Sequence, residues 1–152
     1  MSVKPVPEGF HTLTPHLTVD GAAAAIEYYQ KAFGAKELAR SSGPGGKIFH
    51  ALIQIGDSKV MLNDEFPEMG GRGPKAIGGT AVTLTLYVQD VDRTYEQAIA
   101  AGGKAVMPVA DQFWGDRYGI LTDPFGHAWA VATHKEDLTP EQIRQRMGAM
   151  AG

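Results

Sequence analysis

The sequence predicts an α+β fold built from two βαβββ modules. Three observations carry that prediction. "HTLTPHLTV" and "AVTLTLYV" alternate apolar and polar residues, the period of a strand with one buried face. Each runs into a helical period that ends at glycine, in "DGAAAAIEYYQKAFGA" and "DVDRTYEQAIAAGG". The halves then align at a constant offset of 69: Leu17 on Leu86, Val19 on Val88, Glu27 on Glu96 and Gly34 on Gly103. That is the mark of an internal duplication.

The elements follow in order. In the first strand, Leu13, Pro15, Leu17 and Val19 take one face and Thr14, His16 and Thr18 the other. Asp20 is the expected N-cap of the first helix and Gly34 its C-cap. "KELARSS" is a short strand. "KIFHALIQIGDSKVMLND" reads as two strands joined at Gly56-Asp57-Ser58, with His50, Leu52 and Gln54 opposite Phe49, Ala51, Ile53 and Ile55. Module 1 thus spans about 10–64, and a linker loop, 64–79, is too rich in Pro and Gly for regular structure. Long loops of this kind often act as lids.

Module 2 spans about 80–134. Val82, Leu84, Leu86 and Val88 face one way, and Thr83, Thr85 and Tyr87 the other. A helix is expected from Val91 to Ala101, a short strand from Lys104 to Met107, and a hairpin turning at Asp123-Pro124-Phe125-Gly126. A terminal helix at about 139–150 has Thr139 as N-cap, Pro140 at its first position and a stripe of Ile143, Met147 and Met150. The chain, 1–152, is expected to form a single domain.

With 152 residues, 43% hydrophobic and 20% charged, the chain is long enough for a real core. The net charge of -3 offers no basic footprint for nucleic acid. Zero cysteines exclude disulfides, thiolate metal sites and a Cys nucleophile. No apolar run is long enough for a membrane span, and "MSVKPVPEGFH" lacks a signal-peptide core, so a cytoplasmic location is expected.

Pro15-His16-Leu17, "AIEYYQKAFGAKE", "HALIQIGDSKVMLND", "DQFWGDRYG" and "DPFGHAWAVAT" together cover Leu13 to Thr133. In combination they resemble the vicinal oxygen chelate superfamily, the glyoxalase, bleomycin-resistance and extradiol-dioxygenase group, and most closely its PhnB-like branch. The resemblance implies that each sheet curls into a half-barrel. Two half-barrels, within a chain or across a homodimer, enclose a cleft. Metal-using members bind a divalent ion with one His or Gln from each first strand and one Glu from each last strand. By that resemblance the four places hold Thr14, Met61, Thr83 and Ala130. No cofactor is therefore expected, and a divalent metal only at a non-family site.

Other residues are candidates. His16 and His50 share the predicted cleft parity, with Asn63 or Asp64 at the next strand's end. They read as a proton-transfer or anion-binding pair, or as two hydrogen-bonded structural histidines. Trp114 and Tyr87 supply an aromatic wall, and Thr85 lies on the same face as Tyr87. Arg117 suits a substrate carboxylate or phosphate, or else an ion pair with Asp116 or Asp123. His134 keeps cleft parity with Ala130 and Ala132 but lies at a strand end, where exposure is expected.

Three functions compete. The first is a metal-independent small-molecule binder with His16, His50, Thr14, Met61, Asn63, Thr83, Thr85, Tyr87, Trp114, Arg117 and Ala130 at its site. The second is a lyase, isomerase or transferase on a small oxygenated substrate, using His16 and His50 or a non-family metal. The third is an interaction or regulatory module, for which the C-terminal stripe is the hint.

Overall fold

Two four-stranded mixed sheets with helices make up the α+β fold, and neither sheet closes into a barrel. A computed structural model describes residues 2–151. The chain divides into two compact units, one ending at Thr80 and one starting at Ala81.

In the first unit β1 (His16–Val19), α1 (Ala22–Phe33), β2 (Lys36–Ser42), β3 (Ile48–Ile55) and β4 (Ser58–Asp64) follow the predicted order. The strands lie in the order β1-β4-β3-β2, with β1 parallel to β4 and the others antiparallel. Leu17, Val19, Ala51, Ile53, Val60 and Leu62 are buried on one face. That face is α1's, because Asp64, with the same parity, reaches the start of α1. Truncating Ile53 or Leu62 to alanine costs about 2–5 kcal/mol.

The second unit repeats the plan with β5 (Thr83–Tyr87), α3 (Val91–Ala100), β6 (Lys104–Asp111), β7 (Asp116–Thr122) and β8 (Ala128–His134), in the order β5-β8-β7-β6. Register confirms the duplication. His16 pairs with Met61 as Thr85 pairs with Ala130, and Leu17 with Leu62 as Leu86 with Val131, each at the offset of 69. Lys36 pairs with Gln54 as Lys104 pairs with Thr122, where the offset is 68. It returns to 69 through one extra residue in the β7–β8 turn, closed by Asp123 N–H donating to His127 O at 2.9 Å.

Several expectations need correction. β1 starts at His16, so Thr14 and Pro15 precede it and Leu13 is 84% exposed. Asp20 does not cap α1. The cap position is Gly21, and the acceptor is Asp64, whose Oδ1 receives the N–H groups of Gly21 and Ala22 at 3.0 and 2.8 Å. Its Oδ2 receives the N–H of Ile48 at 2.7 Å. Asp64 is therefore a structural clamp on α1's face, away from His16 and His50. In the second unit Thr133 does similar work, accepting from Val91 N–H at 2.9 Å and donating to Val88 O at 2.8 Å.

Phe49 leaves the core face as well. Ser41 pairs with His50 and Ser42 with Ile48, so Phe49 is the unpaired residue of a bulge. It stacks on Phe66 at 4.9 Å, and Ile48 takes the buried place. β6 runs on to Asp111, beyond Met107. The 64–79 segment is not irregular throughout. It holds a 3-10 turn, Pro67–Met69, and one helical turn, α2 (Pro74–Ile77).

Gly34 ends α1 in the left-handed region at φ 68°, donating to Gln30 O, as its place after the helical period predicts. α4 (Pro140–Ala151) is capped reciprocally: Gln142 N–H donates to Thr139 Oγ1 and Thr139 N–H to Gln142 Oε1. Among the described residues no helix is long and apolar enough to cross a membrane.

Candidate functional site

Each sheet has one face that does not meet its helix. In the first unit that open face carries His16, Met61, Asn63, His50 and Leu52, all on strands whose alternate residues are core. His16 and His50 meet edge to face, with ring centroids 5.7 Å apart. The amide of Asn63 donates to Asp64 O at 2.7 Å, so its Oδ1 accepts from His16 Nε2–H at 2.5 Å. That fixes a tautomer. In the neutral ring the lone pair lies on Nδ1, available to a ligand. Thr14 lies half-buried just ahead of β1, where Met61 N–H donates to Pro15 O.

In the second unit the open face carries Thr83, Thr85, Tyr87, Ala130, Ala132, Tyr118, Asp116 and His134. Thr83, Thr85 and Tyr87 are exposed, whereas Ala130 and Ala132 are fully buried. Ala130 therefore offers no surface to a ligand. Asp116, only 4% exposed, is the hub of this face. Its Oδ2 accepts from Tyr87 OH at 2.7 Å and from Trp114 Nε1–H at 3.0 Å. Its Oδ1 accepts from His134 Nδ1 at 2.7 Å, and His134 Nε2 reaches Asp137 Oδ1, also at 2.7 Å. Trp114 meets Tyr118 at 5.2 Å and 78°.

The electrostatics follow from those contacts. Burial pushes the Asp116 carboxyl up, but hydrogen bonds from His134, Tyr87 and Trp114 outweigh it and hold the group below its ordinary value. The bonds to Asp116 and Asp137 raise His134, which stabilises an imidazolium donating from both nitrogens. The bond to Asp116 also raises Tyr87, which keeps its proton.

Arg117 lies elsewhere. Successive strand residues point to opposite faces, so it cannot pair with Asp116. It turns to α3's side and grips Asp92 with Nε and Nη2 at 2.8 and 2.9 Å, and Asp111 at 3.3 Å. Asp123 is likewise engaged in its own turn, accepting from Phe125 N–H, His127 N–H and Trp129 Nε1–H. Sequence reasoning thus named Tyr87 and Trp114 but missed what joins them. The parity of Asp116, Tyr118 and His134 was the available signal.

A pocket of about 510 Å³ borders Asp116, lined by Asp111, Gln112, Gly115, Asp116, Lys135, Glu136 and Arg146. Arg146 is paired in it with Glu136 at 2.6 and 3.1 Å.

The places implied for a divalent ion do not fit one. Two threonine hydroxyls, a half-buried thioether and an enclosed methyl provide neither imidazole nor carboxylate. Among the described residues no three His, Asp or Glu side chains form a group suited to an ion.

The comparisons agree with this architecture. The profile of the Glyoxalase/Bleomycin resistance protein/Dioxygenase superfamily matches residues 9–131. An uncharacterized protein of Mycobacterium bovis is 46% identical over 140 residues, covering 90% of this chain and 92% of the relative. The crystal structure of protein PA1353 from Pseudomonas aeruginosa is 26% identical with a TM-score of 0.67, covering 83% of this chain and 99% of that one. The PhnB protein from Bacillus cereus shares the fold, with a TM-score of 0.63 at 18% identity over 81% of this chain and 99% of that one. Duplicated βαβββ units and a profile match across both of them place this chain in the glyoxalase/bleomycin resistance protein/dioxygenase superfamily.

Proposed function

We propose that the protein is a PhnB-like small-molecule binder that works without the family's metal ligands. One observation carries the reading: the open faces bear hydrogen-bonding and aromatic groups, while Thr14, Met61, Thr83 and Ala130 hold the implied metal places. Thr14, His16, His50, Met61 and Asn63 form the contact set of the first unit, and Thr83, Thr85, Tyr87 and Trp114 that of the second. The same reading makes it a cytoplasmic homodimer, with the α4 stripe as a contact surface. Native mass spectrometry of protein from its natural host tests the reading. A stoichiometric organic adduct, released on denaturation and returned by addition, is expected. Protein that carries no adduct and binds nothing from a metabolite extract contradicts it.

A second reading is supported by His16 standing edge to face with His50 while its Nε2 is held on Asn63 Oδ1: general-base catalysis by a lyase, isomerase or transferase on a small oxygenated substrate. Substrate turnover lost in both His16→Ala and His50→Ala, with binding retained, favours the enzyme over the binder.

A further inference from the structure

We propose that the open face of the second unit takes an organic cation, held on Tyr87, Trp114 and Tyr118 beside the buried Asp116. The proposal rests on the small-molecule reading above and names its ligand class. Tyr87 is 61% exposed, and Trp114 and Tyr118 are half-buried, so ring surface is reachable. Trp114 and Tyr118 stand nearly perpendicular at 5.2 Å and form a corner. Ring faces are negative, and a cation within about 6 Å of a centroid is attracted to them.

Asp116 sharpens that preference. The phenol of Tyr87 and the indole of Trp114 both donate to its Oδ2, at 2.7 and 3.0 Å. Donation to a carboxylate moves electron density into both rings, which makes their faces more negative. His134 bridges the carboxylates of Asp116 and Asp137, each at 2.7 Å, so two acidic groups flank one imidazole beside these rings. Among the described residues no lysine or arginine covers these three rings. Two cation–π contacts, Lys47 on Phe66 and Lys59 on Phe10, lie in the first unit.

The cluster is poorly suited to catalysis. Tyr87 keeps its proton, and both nitrogens of His134 are engaged by carboxylates. Binding remains, and its specificity comes from charge.

The test compares choline with its neutral isostere, 3,3-dimethylbutan-1-ol, by saturation-transfer NMR on the full chain. Choline is expected to bind about tenfold more tightly, the size of a well-packed cation–π contact. Trp114→Leu and Tyr118→Leu should each erase the difference, and Trp114→Phe should keep most of it. Circular dichroism verifies that each variant is folded. Equal binding of the two probes overturns the cation assignment and leaves the small-molecule reading standing. Binding of neither, or choline binding that survives both leucine variants, overturns it as well.

Discussion

His134 donates from Nδ1 to the buried carboxylate of Asp116 at 2.7 Å, tying the end of β8 to the start of β7. His134 is raised in the fold, so its contribution is complete below the free value of about 6.5 and fades as pH rises through the folded value. Asp116 is lowered, so its contribution is complete above about 4 and fades as pH falls through the folded value. Both are complete between about pH 4 and 6.5. Thermal melts should peak in that window, and His134→Gln should flatten the alkaline side. An unchanged alkaline slope in the variant speaks against the coupling.

Asp64 fastens α1 to two strands through three backbone N–H groups. Removing its carboxylate strands buried donors. Asp64→Ala should cost about 3 kcal/mol in urea unfolding, whereas Asp20→Ala should cost about 0.5 kcal/mol or less. Equal losses in the two variants would return the cap to Asp20.

Metal analysis addresses the donor set. Protein purified without an affinity tag should contain well under one divalent ion per chain, and adding zinc, nickel or manganese should leave the melting temperature unchanged. One tightly bound ion per chain, lost in His16→Ala or His50→Ala, would replace this reading with a metal site on the first unit's open face.

The α4 stripe is open in the chain: Met147 is 49% and Met150 66% exposed, and Ile143 is half-buried. Light scattering should give twice the chain mass. Met147→Lys with Met150→Lys should halve that value without unfolding the protein. A native monomer, or a dimer indifferent to both lysines, removes α4 from the contact.

Local periods made the fold legible. Alternation along Thr83–Tyr87 and the glycine after Phe33 depend on neighbours within a few residues, and both read correctly. What the sequence hid depends on distant partners. The cap of α1 comes from a residue 42 to 43 positions away. The bulge at Phe49 exists only through the register with Ser41 and Ser42. At the site, the approach of His16 to His50 followed from strand parity. Asp116 reads in the sequence as a partner for its neighbour Arg117. Its actual partners lie on three other segments, at Tyr87, Trp114 and His134.

Ala130 sets the terms on which this chain could change its chemistry. Its methyl is fully enclosed, with Thr85 and Ile120 as its cross-strand neighbours. A glutamate at that position needs space as well as charge. Overpacking costs about 1–3 kcal/mol, and an enclosed carboxylate without a counter-ion costs more. A metal site engineered through Ala130→Glu therefore calls for a smaller partner at Thr85 or Ile120 in the same variant, so the position is a place to design around rather than a single switch.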